Sequence, residues 1–224
     1  MKIHSSLAFI IFVLSLLQSS LTAGFIPVKN ASFEANTDLP YHNAHNYWID
    51  DWQIVSSSGL SYIGGTHTFV GQSLLTPPAT DGVNVAFQND KGYLLQILDR
   101  TFQRGDNLEL KVDIGWRLDV PDLPNYSIQI MAGNTILASY SEQSILVHGG
   151  WGTAVANYTF NEDQAGLIGE QLKIKLETRR DWRQINYDNV RLELTAVPEP
   201  NAVAGLLFIF SVGLAVRRTR VRLA

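Results

Sequence analysis

The stretch "LELKVDIGWRL", residues 108–118, alternates without a break. Leu108, Leu110, Val112, Ile114, Trp116 and Leu118 fall on one side, and Glu109, Lys111, Asp113 and Arg117 on the other. Successive side chains of a strand point to opposite faces, so this register makes a strand with one buried and one wet face. "QLKIKLE" repeats the pattern with Leu172, Ile174 and Leu176, and "NVRLEL" with Val190, Leu192 and Leu194. Shorter strand-like runs are "WQIV", "VNVAFQ", "YLLQIL", "YSIQIMAG", "TILASYS" and "TAVANYTF". The turn-forming "DKGY", "RGDN", "AGNT", "HGGW" and "LIGE" separate them. Away from the two ends no stretch of ten or more residues carries a helical stripe. These spacings predict an all-β fold, an antiparallel β-sandwich of two sheets.

The ends read differently. "MKIHSSLAFIIFVLSLLQSSLTA", residues 1–23, has a positive start at Lys2, an apolar run from Leu7 to Leu17 and small residues up to Ala23. That is the layout of a signal peptide, with an apolar part short of the roughly 20 residues of a spanning helix. Residues 24–196 are then expected to form one exported domain, and residues 197–224 a separate tail. Removing Lys2, Glu199 and the four tail arginines from 17 basic and 21 acidic residues leaves 12 and 20, a net charge of −8. A domain of that charge is not a nucleic-acid binder. The absence of cysteine excludes disulfides, thiolate metal sites and a cysteine nucleophile.

The tail has three parts in order: Pro198-Glu199-Pro200, an uncharged run from Ala202 to Val216, and Arg217, Arg218, Arg220 and Arg222. As a helix, 15 residues reach about 22 Å, short of a hydrocarbon core of about 30 Å. The arginines favour a cytoplasmic end. "VPEP", a short apolar helix and "RRTR" resemble the PEP-CTERM sorting signal of Gram-negative bacteria. The resemblance implies a transmembrane sorting helix, recognition by an exosortase and passage through the inner membrane to the cell surface. It also implies a setting of exopolysaccharide and biofilm matrix.

Inside the domain, "NASFEAN" near the start and "INYDNVRLEL" at the end bracket "DGVNVAF", "GYLLQIL", "GDNLELKVDIGWR" and "IQIMAGNTILA". This order is similar to jelly-roll domains of the galactose-binding-like class, which include many carbohydrate-binding modules. In that class an acidic residue of the first strand and one of the last hold a structural calcium ion. The resemblance places that role on Glu34 and Asp188. Calcium takes six to eight oxygens at about 2.3–2.6 Å, so backbone carbonyls would supply the rest.

The loop "LPYHNAHNYWIDDW" gathers Tyr41, Tyr47 and Trp48 beside Asp50-Asp51. Exposed aromatic rings stack on sugar rings while amides and carboxylates take the hydroxyls, so these three residues are the expected ligand-binding patch. Core packing is the competing role for the tryptophans, and it fits Trp116 by its parity. His42, His45 and His67 lack the helix and H-E-x-x-H spacing of a zinc site and read as exposed loop residues. No G-x-S-x-G and no phosphate-cradling glycine loop is present. The expectation is an exported, surface-sorted, non-catalytic protein that binds or organises extracellular polysaccharide. A polysaccharide lyase or glycosidase on the same scaffold, or a purely structural matrix protein, are the alternatives.

Overall fold

The computed structural model describes residues 24–36, 45–57, 59–60, 63–69, 71–179 and 183–194, all within one compact unit, Ala23–Thr195. The leader 1–23, Tyr41, and the tail with Pro198, Glu199, Pro200, Arg217 and Arg218 lie outside the described residues. Among the described residues no helix is long and apolar enough to cross a membrane.

In chain order the strands are β1 (Gly24–Ile26), β2 (His45–Asn46), β3 (Gln53–Ser56), β4 (Gly64–Thr68), β5 (Asn84–Gln88) and β6 (Gly92–Thr101). They continue with β7 (Asn107–Trp116), β8 (Tyr126–Ala132), β9 (Thr135–Tyr140), β10 (Gly150–Thr159), β11 (Gln171–Thr178) and β12 (Ile185–Leu194). The larger sheet runs β10-β7-β12-β5-β4-β2, with β1 also on β12, and the smaller runs β3-β6-β11-β8-β9. Every strand pair is antiparallel. The chain is an all-β antiparallel sandwich, as its alternation predicts.

The inward parities meet in one core. Leu108, Leu110, Val112 and Ile114 of β7 face Leu172, Ile174 and Leu176 of β11, with Leu94, Leu98, Ile128 and Ile130 filling the layer. Each such side chain gains about 1.5–3 kcal/mol by leaving water. Trp116 departs from its expected place. The last residue of β7 sits beyond the core, half-buried, with its ring 4.4 Å from His148 and its indole N–H donating to the Val120 carbonyl. The tryptophan in the core is Trp52, packed on Phe33 at 5.7 Å.

Two local features escape the period-two pattern. "GGTHT" is strand β4, buried on both faces, and a strand covered on both sides shows no alternation. Its glycines are required by close approach: a Cβ on Gly65 would lie 1.7 Å from the Asn46 carbonyl oxygen. "NASFEAN" is not a strand. Asn30 and Phe33 take φ of 46° and 61°, and the Asn30 side chain accepts from the Ala35 N–H, so Glu34 sits on a turn after β1.

A further layer covers part of the larger sheet's outer face. Phe69, Leu75 and Val85 form a small second core with Trp151 against it. The Trp151 indole N–H donates to the Pro77 carbonyl at 2.7 Å, which ties the segment 71–83 across the sheet.

Candidate active site

Beside that covered patch the larger sheet's outer face stays open. In the register, His45 pairs with His67 and His67 with Val85, while Gly65 pairs with Phe87 and Phe87 with Asn186. The neighbours Ala86, Ile185 and Tyr187 point into the core, so His45, His67, Phe87 and Asn186 point out. Gly65, with no side chain, lets the Asn46–Tyr47 backbone close over this part of the face, since a Cβ there would lie 1.7 Å from the Asn46 carbonyl oxygen.

His45, Tyr47, His67 and Phe87 line a recess of ≈ 260 Å³ together with Asn89, Arg117 and Gln184. The rings meet edge to face: His45–Tyr47 at 5.1 Å, His45–His67 at 5.9 Å, His45–Phe87 at 6.2 Å and His67–Phe87 at 6.1 Å. His45 Nε2 and the Tyr47 hydroxyl are 3.2 Å apart, a phenol–imidazole hydrogen bond on the wall of the recess. His67, 8% exposed, is packed on Phe69 at 4.1 Å. Burial, helped by the charge of Arg117 and by His45, pushes its imidazole down to about 4, so it is neutral at ordinary pH.

A second recess of ≈ 290 Å³ is lined by Leu60, Ile63, Asp90, Asp119 and Val120, and again by Asn89, Arg117 and Gln184. The two recesses meet at those three shared side chains. Arg117, just past the end of β7, is held by Asp119 and Gln184, and its guanidinium lies 5.4 Å from the Phe69 ring centre. Gln184 in turn donates to Asn186 at 2.9 Å.

The residues expected to hold calcium lie elsewhere on this sheet. Glu34 Oε1 accepts from the Val83 and Asn84 N–H groups at 2.7 and 2.6 Å. Asp188 Oδ2 accepts from the Thr80 N–H and hydroxyl and the Asp81 N–H at 2.7, 2.9 and 2.9 Å, and Oδ1 from the Asn189 N–H at 2.7 Å. Both carboxylates therefore grip one turn, residues 80–84. Burial pushes the Asp188 carboxyl up to about 6 against the pull of those donors. Among the described residues no group of three or more acidic or histidine side chains forms a metal cluster.

Of the expected sugar patch, Tyr47 and Trp48 are 48% and 53% exposed. Tyr47 turns to the recess and Trp48 is not among its lining residues. The sequence missed His45, His67 and Phe87 as a group. The cross-strand His45–His67 pair depends on the strand character of "GGTHT", which carries no alternation to find.

The chain is an all-β protein with a half-open recess lined by aromatic and polar side chains on the larger sheet's outer face. A family profile described as HpiC1-like, HpiC1 cyclase, matches residues 25–193, and the chain belongs to that family of cyclases. The fold is shared with the Stig cyclase Fisc from Fischerella sp. TAU, crystallised with (3Z)-3-(1-methyl-2-pyrrolidinylidene)-3H-indole. The identity is 22% over 79% of this chain and 100% of that one, with a TM-score of 0.69. A cyclase from Fischerella sp. TAU in complex with 4-(1H-indol-3-yl)butan-2-one is 23% identical over 78% of this chain and 100% of its own, with a TM-score of 0.68. An apo cyclase from Fischerella sp. gives 23% over 78% and 98%, with a TM-score of 0.68. No curated protein matches the chain.

These findings correct the reading taken from the tail. The family shown over residues 25–193 is a cyclase family, so the chain is assigned by that domain and not as a PEP-CTERM protein of the biofilm matrix. They also overturn the expectation of a non-catalytic polysaccharide-organising protein, because the family consists of enzymes. The earlier inference failed because it took activity from a tail and from a widely shared sandwich. A fold of this kind hosts many activities, and the site decides among them.

Proposed function

We propose that the chain is an acid-initiated cyclase of a small aromatic molecule, with the recess of His45, Tyr47, His67 and Phe87 as its active site. The observation that carries this is the set of rings around one hollow with a phenol–imidazole hydrogen bond in its wall. Cyclisation within one molecule changes no atoms. One proton goes on, a carbon–carbon bond forms, and one proton comes off. Tyr47 O–H gives the proton, and the proton lost from the substrate at the end returns to the Tyr47–His45 pair, joined through His45 Nε2, which restores the starting state. Positive charge then develops on the substrate, and the faces of Phe87 and Tyr47 stabilise it. A neutral His67 matters here, because it adds no further positive charge to a wall that already holds Arg117.

Ring closure needs a π-nucleophile and an unsaturated arm in the same molecule. The indole-based ligands of the similarly folded cyclases support an indole-like ring carrying an unsaturated chain as the substrate class. Binding of 4-(1H-indol-3-yl)butan-2-one to the full chain tests the site, and mass spectrometry of alkenyl indoles, seeking a product of unchanged mass, tests the reaction. Tyr47→Phe should keep binding and lose roughly 100-fold or more in turnover. Wild-type turnover in Tyr47→Phe would end the assignment of the proton donor.

The donors of Glu34 and Asp188 fit a structural calcium ion. Their bonds to the 80–84 turn fall most heavily on Glu34 Oε1 and Asp188 Oδ2, so Glu34 Oε2 and Asp188 Oδ1 are the oxygens that would hold the ion. Two carboxylates plus carbonyl oxygens suit calcium's hard-oxygen preference. The ion would fasten the turn that borders the active face. Chelation should lower the melting temperature, and Glu34→Gln should abolish that response, since a ligand bound only to the native state stabilises it by mass action. A melting curve indifferent to chelator, in protein shown to have held the metal, would remove the ion from this site.

A further inference from the structure

We infer that Arg117 selects the substrate's polar substituent: the groove takes an aromatic molecule whose short arm carries an oxygen acceptor, a carbonyl or a carboxylate. This rests on the recess being the substrate site, as proposed above.

Arg117 lines both recesses and stands where they join. An aromatic ring seated among Tyr47, His67 and Phe87 must pass any arm longer than a few atoms across it. The guanidinium is fixed before a ligand arrives. Nε donates to Asp119 Oδ1 at 2.8 Å, Nη2 bonds Asp119 Oδ2, and Nη1 bonds Gln184 Oε1. Phe69 supports its face at 5.4 Å. Gln184 is itself held by Asn186, which donates to the Gly115 carbonyl. Of the five N–H groups of a guanidinium these bonds use three, leaving one on each Nη. The side chain is only 15% exposed. An immobilised donor fork with little water around it is matched by a planar oxygen acceptor, carboxylate best of all. Asp119, far more exposed at 47%, tempers the cation and so sets how strongly a carboxylate is preferred over a neutral carbonyl.

The test uses the full chain and calorimetric titration with three indoles of similar arm length: 4-(1H-indol-3-yl)butanoate, 4-(1H-indol-3-yl)butan-2-one and 3-butylindole. Wild type should bind the carboxylate and the ketone roughly tenfold more tightly than the hydrocarbon, the size of a charge-assisted hydrogen bond. Arg117→Gln should erase that preference and leave 3-butylindole affinity in place. Asp119→Asn should tighten the carboxylate alone, a gain that damage to the fold cannot produce. A preference that survives in Arg117→Gln overturns the inference, as does an Asp119→Asn change equal for all three ligands. If none of the three binds, the groove itself is not the aromatic site and both readings fall together. Binding by all three without discrimination sinks only the role of Arg117.

Discussion

On the outer face of the smaller sheet, Lys175 bonds Glu177 at 2.9 Å and covers the Tyr93 ring at 4.5 Å, while Arg179 bonds the other oxygen of Glu177 at 2.8 Å. On the outer face of the larger sheet, β4 and β5 present His67, Val85 and Phe87, and the segment 71–83 shelters part of them. Both faces come from antiparallel strands with one side in the common core. They differ in what the second side meets. On β11 it meets water, and the charges satisfy one another along the strand. On β4 and β5 it meets more protein, so small and aromatic residues are tolerated where charged ones would be stranded. A face covered only in part leaves some of its strands open, and the recess of His45, Tyr47, His67 and Phe87 lies on that open part. The catalytic reading therefore depends on the incomplete second layer more than on the sandwich.

The largest expected effect breaks the larger sheet's face at its closest approach. A Cβ at Gly65 would stand 1.7 Å from the Asn46 carbonyl oxygen and 2.9 Å from the Tyr47 Cα. Strand β2 has only two residues, so it should yield before the sheet does. Gly65→Ala is then expected to lose turnover by about 100-fold or more, since a displacement of about 1 Å at a catalytic group costs that much. The folded domain should remain, with a loss of about 1–3 kcal/mol. Circular dichroism and turnover on one preparation separate the two. An active Gly65→Ala protein would show that the His45–Tyr47 pair is not needed in its present place.

That glycine also shows where reading the sequence succeeds and where it stops. β7, β11 and β12 were legible because buried and half-buried residues alternate along much of each, and the hydrophobic period reports it directly. β4 was not, because five buried residues in a row, two of them glycine, carry no period at all. The same property hid the site. His67 looked like a loop residue, and its partner His45 like part of a polar surface loop, until the pairing of β2 with β4 brought them together. Tyr47 drew attention as an exposed aromatic, but beyond His45 its neighbours in the recess come from β4 and β5, and a cross-strand neighbour cannot be counted along the chain. Glu34 and Asp188 were visible as acids near either end of the domain. Their common hold on residues 80–84 was not, because nothing in the sequence announces what a turn donates to.

The next effect is thermodynamic and sharpens the burial contrast. His67 sits near 4 when folded, against an ordinary value of 6.5, with burial as the main cause. Its folded value is depressed, so the folded state binds fewer protons than the unfolded one between those values. The stability it permits is fully present above pH 6.5 and drains as pH falls through about 4. A gap of that size amounts to about 3 kcal/mol over the window. Urea unfolding at a series of pH values should show this acid limb in wild type and a shallower one in His67→Gln. Identical limbs in the two proteins would mean that His67 is not shielded from solvent as the geometry requires.

The smallest effect belongs to the smaller sheet. Burial pushes the Glu177 carboxyl up, but the bonds from Lys175 and Arg179 outweigh it and hold the group below its ordinary range. The three side chains are 22%, 18% and 45% exposed in that order, so solvent screens much of their attraction. Glu177→Gln keeps the shape and removes the charge, leaving two cations close together beside Tyr93. The expected cost is about 1 kcal/mol or less, shrinking further at high salt. Turnover and indole binding should be unchanged, because no residue of this network lines either recess. A substantial loss of activity in Glu177→Gln, with stability intact, would be the more informative result. It would mean that the two outer faces are coupled through the shared core, and that the division of labour drawn between them is wrong.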